Sequence, residues 1–320
     1  MDLKTAFNIP LSTDPSTAAG HYQLHLDRLC TALLNDYYLC IGEKNYEILE
    51  VEAYLAAPHH VDPFCHAHPL QYRSGYWYFH HIGMSKGFRG GTRKGVDITI
   101  GRDDERRSAG GLLIRAIIER DSRRVIEGPS LVVDEILKGL KYTNIKDLVH
   151  KQWLDHKQEG VCWSENSGFY LKAKLSNENR PVKRRKLDEN EVKIYASCRV
   201  GLGLTNSHPS TATRLSYVGR RYRYIMQPQV LKKGMIWTIF DMLHSSISID
   251  KIQSLTGVKM KALEKYRQEY LKGQEDSTDT IEACLKSKDI LNGGNEWKIR
   301  VMSAIYQQEK KGFTGFRLNQ

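Results

Sequence analysis

The residues best equipped for chemistry lie in one run, Ile48-Leu49-Glu50-Val51-Glu52-Ala53-Tyr54-Leu55. Leu49, Val51, Ala53 and Leu55 alternate with Glu50, Glu52 and Tyr54, which is the period of a half-buried strand, so two carboxylates and one aromatic ring share a face. A carboxylate kept ionised by a neighbouring cation can take a proton from water. Arg115 is the natural cation. It sits inside the apolar run Leu112 to Ile118, where an unpaired guanidinium would be costly to bury, so a carboxylate or backbone partner is expected. A solvated strand face and a purely structural ion pair are the competing readings.

Rings follow the carboxylates. Asp62-Pro63-Phe64-Cys65-His66 is followed by Ser74-Gly75-Tyr76-Trp77-Tyr78-Phe79-His80-His81, a density of aromatic side chains that could stack on a nucleobase. If the second run is a strand, neighbours face opposite sides and at most half of its rings can line one pocket. His59, His60, Cys65, His66, His68, His80 and His81 also raise zinc, but they match no standard ligand spacing, and we expect neither metal nor cofactor. Next comes a glycine-rich basic segment, Met84 to Gly95. It reads as a hairpin whose Lys86, Arg89, Arg93 and Lys94 meet phosphates; a plain flexible loop is the alternative.

The elements that must position these groups form an α+β pattern over residues 21–227: one helical stretch, several short apolar runs, and a helix opening at Gly128-Pro129-Ser130. The order of Glu50-Val51-Glu52-Ala53-Tyr54-Leu55, Asp62-x-x-x-His66, Tyr76-x-Tyr78, Leu112-Leu113-Ile114-Arg115-Ala116 and Gly128-Pro129-Ser130 resembles the alkyladenine (3-methyladenine) DNA glycosylases. Arg199-Val200-Gly201 with Tyr217-Val218-Gly219 looks like that family's closing strands. The resemblance implies a curved, mostly antiparallel sheet with flanking helices. It implies that Glu52 activates the water that attacks the sugar carbon, that Arg115 holds Glu52, and that Tyr54, His66 and Tyr78 sandwich a flipped purine. It also implies base removal without strand cleavage and, at the Met84 to Gly95 hairpin, which is longer than the family's, a wedge side chain entering the duplex, Phe88 or His81. Asp97 stands where the family usually carries Asn, and an ionised carboxylate only accepts hydrogen bonds, which alters base selection.

The balance of 48 Lys and Arg against 37 Asp and Glu, net +11, favours a polyanionic partner. Double-stranded DNA containing damaged purines is the partner expected. No stretch approaches the roughly 20 apolar residues of a membrane span. Scattered cysteines without a CxxC pair fit reduced thiols. Residues 1–20 read as a polar arm, and 166–192 as an exposed polar insertion. Within the insertion, Lys183-Arg184-Arg185-Lys186 reads as a contact for a nuclear import receptor, hence a nuclear protein, and a monomer is expected. Tyr195 to Gly203 and Thr213 to Tyr224 have strand-like composition. Residues 228–320 read as a helical extension. Over about 247–270, apolar spacing on both sides of Gly257 fits a helix-turn-helix with Lys259, Lys261 and Lys265 towards DNA, or the commoner plain helical bundle. Two other functions fit the same residues: a nucleic-acid-binding protein without catalysis, and an N-glycoside hydrolase acting on something other than DNA.

Overall fold

Tyr22, Leu26, Leu29 and Leu33 recur at helical spacing and are all buried, forming the inner stripe of a helix whose outer face is polar. The computed structural model in which this helix lies describes residues 3–84, 87–104, 107–154, 160–174, 193–204, 211–287, 290 and 293–311. The chain is α+β, with a strongly curled antiparallel half-barrel sheet and C-terminal helices, as expected from the sequence. It forms two compact units. The first comprises Met1–Val61, Cys65–Ile194 and Tyr224–Gln227; the second comprises Asp62–Phe64, Tyr195–Arg223 and Pro228–Gln320.

The first unit runs α1 (Leu3–Ala6), α2 (Ala18–Asp36), β1 (Tyr37–Ile41), β2 (Lys44–Ala57), β3 (His60–Val61), β4 (Ser74–Phe79), β5 (Val96–Ile100), β6 (Ala109–Glu119), β7 (Val125–Glu127), α3 (Pro129–Gly139), α4 (Ile145–Asp147) and β8 (Phe169–Ala173). The sheet order is β4-β5-β6-β2-β1-β8, every neighbouring pair antiparallel. Helix α2 packs against β2 and α3 against β6. Helix α3 starts where the sequence placed it, with Pro129 in its first turn, where the missing N–H costs nothing. After β10 (Arg223–Ile225), Met226 N–H donates to the Leu49 carbonyl at 2.8 Å and closes the unit.

Several sequence expectations change. The first twenty residues are no free arm: Phe7 and Ile9 are buried, and the Phe7 carbonyl accepts from Ser74 Oγ at 3.0 Å. The insertion begins later than residue 166, because Phe169 and Leu171 are buried on β8, which pairs with β1. Lys183–Lys186 lie outside the described residues. Thr213 to Tyr224 is mostly not a strand. Helix α5 (Thr211–Val218) occupies it, with Leu215 and Val218 buried three apart and Ser216 Oγ returned to the Thr213 carbonyl at 2.8 Å. Strand β9 (Tyr195–Ser197) stops short of Arg199, so neither proposed closing segment forms the strand expected of it.

In the second unit, α6 (Met235–His244), α7 (Ile249–Thr256) and α8 (Met260–Glu275) share a core of Ile239, Met242, Ile252 and Leu263. Helices α9 (Ser277–Ser287) and α10 (Asn295–Lys310) follow. Asp62 belongs here. Its carboxylate accepts two bonds from Arg199, at 2.5 and 3.1 Å, in a fully buried pair. No helix among the described residues is long and apolar enough to cross a membrane.

Candidate active site

Register explains why the carboxylates and the rings share a face. Directly opposed residues in an antiparallel ladder point to the same side. The pairs Tyr78↔Asp97, Asp97↔Leu113 and Leu113↔Glu52 therefore make one row across β4, β5, β6 and β2. With strands about 4.8 Å apart, Glu52 and Asp97 stand on the order of 10 Å from each other. The next row brings Thr99, Gly111 and Tyr54 onto the same face. Gly111 is required there: a β-carbon on it would lie 2.6 Å from Asp97 Oδ2. Its bare backbone leaves the floor between Tyr54 and Asp97 open.

At the carboxylate end, the β2–β6 ladder shifts register twice, leaving Leu49 and Arg115 without cross-strand partners. Such a bulge re-aims a side chain, and here it aims Arg115 at both glutamates. Arg115 Nε donates to Glu50 Oε1 at 2.8 Å, and Arg115 Nη1 to Glu52 Oε2 at 3.4 Å. The shorter bond thus goes to Glu50, whereas the sequence pointed to Glu52. The Tyr54 hydroxyl donates to Glu52 Oε2 at 2.7 Å. Burial works against the guanidinium charge, but the Glu52 carboxylate and then Glu50 more than reverse this and hold Arg115 above its ordinary range. Glu50 and Glu52 are essentially inaccessible, at 1% and 0% exposure, which removes the reading of a solvated strand face. Tyr54 is half-buried.

At the ring end, the strand alternation is confirmed and its consequence is specific. Trp77 turns away from Tyr78 and stacks on Phe169 at 3.9 Å. Tyr78 joins His66, His68, His80 and His81, with its ring parallel to His81 at 5.4 Å, and His81 stacks on His68 at 4.4 Å. Burial, reinforced by His80, pushes His66 down to about 4. Burial lowers His68 and His81 in the same direction and raises the Tyr78 phenol. His66, His68, His81 and Tyr78 are therefore neutral rings at pH 7. Among the described residues, no group of three or more His, Cys, Asp and Glu side chains is arranged to hold a metal.

Asp97 links the two ends and is 2% exposed. Its Oδ2 accepts from Gln71 Nε2 at 3.0 Å, and its Oδ1 lies 2.7 Å from His80 Nε2. Asp97 thus orders Gln71 and His80 instead of presenting a bare acceptor. Gln71 was not singled out from the sequence, since nothing in its local spacing marks it.

At the start of the basic segment a bridge joins His81 to Phe88, and Ile82 N–H donates to the Gly87 carbonyl at 2.9 Å. His81 is buried in the ring stack and Phe88 packs on it at 4.5 Å, so neither is free to act as a wedge. The apolar side chains that do stand out are Ile82, 61% exposed, and Met84, 67% exposed. Arg93 is exposed, Arg89 Nε is bonded to the His81 carbonyl, and Lys94 is paired with Asp134. Lys86 lies outside the described residues. Beside the hairpin, a cleft of about 330 Å³ is lined by Phe88, Arg89, Lys94, Asp134, Asn144 and Lys146.

No family model and no solved structure matches the chain. It is 26% identical over 219 residues to an uncharacterized protein of Acanthamoeba polyphaga mimivirus, a stretch covering 65% of this chain and 89% of that protein.

Proposed function

We propose that the first unit hydrolyses the N-glycosidic bond of a damaged purine turned out of duplex DNA. The observation that carries this reading is the constellation at Glu52: a buried carboxylate with Arg115 on one side and the Tyr54 hydroxyl on its Oε2, in register across the sheet with Tyr78 and Asp97. In the reaction the C1′–N bond breaks and its electron pair leaves with the base. Water oxygen bonds to C1′, and the water proton goes to Glu52. A carboxylate beside a cation-like sugar also stabilises the charge that develops there. The neutral rings of His66, His68, Tyr78 and His81 suit stacking on an uncharged or cationic base. Tyr54 is the member of the Glu52 group that reaches the surface, so the base enters over its ring.

Exposed Arg93 and half-buried Arg89 supply phosphate contacts, and Ile82 and Met84 replace His81 and Phe88 as the wedge. Reduced stacking around a lesion lowers the cost of flipping it. Nuclear location and an import receptor at Lys183–Lys186 remain part of this proposal and are supported by the basic run alone.

The complete burial of Glu52 favours one rival, a nucleic-acid-binding protein in which Glu50, Glu52 and Arg115 only brace the sheet. Alkali-revealed abasic sites in duplexes carrying single 3-methyladenine, 7-methylguanine, ethenoadenine or hypoxanthine separate the two. Release from at least one lesion, lost in Glu52→Gln, is expected of the enzyme. Absence of release from all four sinks it.

A further inference from the structure

Helix α8 is built against its own stability at one end. Helix α7 follows the usual rules: the Ser248 side chain accepts from Lys251 N–H and Asp250 lies in the first turn, where a negative charge meets the positive end of the helix dipole. Helix α8 does the reverse. Its N-cap is Lys259 with no side-chain cap, its first turn holds no acidic residue, and Lys261, Lys265 and Arg267 are all exposed in its first half. Cations at a helix N-terminus and like charges four residues apart are both unfavourable. No ion pair among the described residues involves Lys259, Lys261, Lys265 or Arg267, although Glu264 lies among them. The second half is different. There Glu269 pairs with Lys272 and Arg300, and Ser303 Oγ on α10 donates to the Tyr270 carbonyl at 2.6 Å.

The placement of this charge is equally specific. Gly257 closes α7 with φ +70°, which glycine adopts without strain, and the turn Gly257-Val258-Lys259 leads directly into α8. Ile239 and Met242 of α6, Ile252 of α7 and Leu263 of α8 form one core, with Leu255, Val258 and Tyr266 packed against it. Helices α6, α7 and α8 share this core, α7 and α8 follow each other as helix, three-residue turn and helix, and α10 also packs on α8. The core fixes α8 from the inside and leaves Lys261, Glu264, Lys265 and Gln268 as an outward stripe.

We infer that α8 is a recognition helix that enters the major groove of double-stranded DNA, a second DNA-binding surface independent of base excision. A polyanion removes the repulsion among the cations and satisfies the end of the helix dipole. Lys259, Lys261 and Lys265 meet phosphates, and Gln268 offers the donor and acceptor pair that reads a base edge.

The test is binding of the full chain to an undamaged 20-base-pair DNA duplex, read by fluorescence anisotropy across a salt series. The triple variant Lys259→Ala, Lys261→Ala, Lys265→Ala should bind at least tenfold more weakly, and the slope of log K against log salt should shrink by about 3, near one per lost phosphate contact. Binding within twofold of the unsubstituted chain overturns the inference, as does a preference for single-stranded DNA or duplex RNA. A photo-crosslinker on Gln268→Cys gives an independent readout and should attach to duplex DNA; no adduct there is also contrary. Because the probe carries no lesion and the readout is binding, failure of the glycosylase reading, seen as absent base release, and failure of this one give different results.

Discussion

Two glutamates converge on one guanidinium, and the bond lengths divide their roles. Glu50 takes the short bond from Arg115, and Glu52 takes a longer one together with the Tyr54 hydroxyl. Glu50 thus anchors Arg115, and in the proposed reaction Glu52 is left to act as the base. Removing the cation leaves both carboxylates buried against nothing of equal charge. Arg115→Met should therefore cost about 3–5 kcal/mol, measured by chemical denaturation. A loss below about 1 kcal/mol would mean that the triad opens to water. His66 makes a pH prediction. Folding lowers its imidazole from 6.5 to about 4, so between these values the unfolded chain binds a proton that the folded chain refuses. Stability then falls as pH drops from 6.5 towards 4, by on the order of 2 kcal/mol from this group, and is unaffected by it above 6.5. His66→Gln should lose less Tm between pH 7 and 4.5 than the unsubstituted chain. An equal loss would assign the acid sensitivity elsewhere.

At the scale of elements, what was legible in the sequence is what is local. Period-two alternation placed Glu50, Glu52 and Tyr54 together, and Gly128-Pro129 marked the start of α3, because strand faces and helix starts are written in adjacent residues. The two register shifts that aim Arg115 depend on how β6 pairs with β2, which spacing within either strand does not reveal. Gln71 reaches Asp97 from 26 residues away and carried no signal of its own. Over Thr213 to Tyr224, Tyr, Val and Arg suggested a strand, but α5 (Thr211–Val218) occupies its first half, where burial of Leu215 and Val218 on one helical stripe outweighed composition. The hairpin shows the same limit: its rings looked like wedges, yet His81 and Phe88 are used in packing while Ile82 and Met84 project. The double variant Ile82→Ser, Met84→Ser should slow base release from duplex about tenfold, leave release from a single strand unchanged, and alter stability by under about 0.5 kcal/mol. Equal slowing on both substrates would remove the wedge.

Across the whole molecule, the net charge of +11 is spread over features of different character. In the first unit, cations flank a ring-lined face, the arrangement expected where a backbone is gripped and a base is taken inside. In the second, exposed cations crowd one end of a helix held by a three-helix core. In the two proposals these surfaces ask different questions of DNA, one about a damaged base and one about the duplex itself. The claim on which the chemistry rests is that Glu52 activates water, and single-turnover base release from a lesion-bearing duplex tests it most directly. Glu52→Gln, nearly isosteric and unable to accept the proton, should slow release by at least about 100-fold while binding the duplex normally. Release at the unsubstituted rate would contradict the assignment.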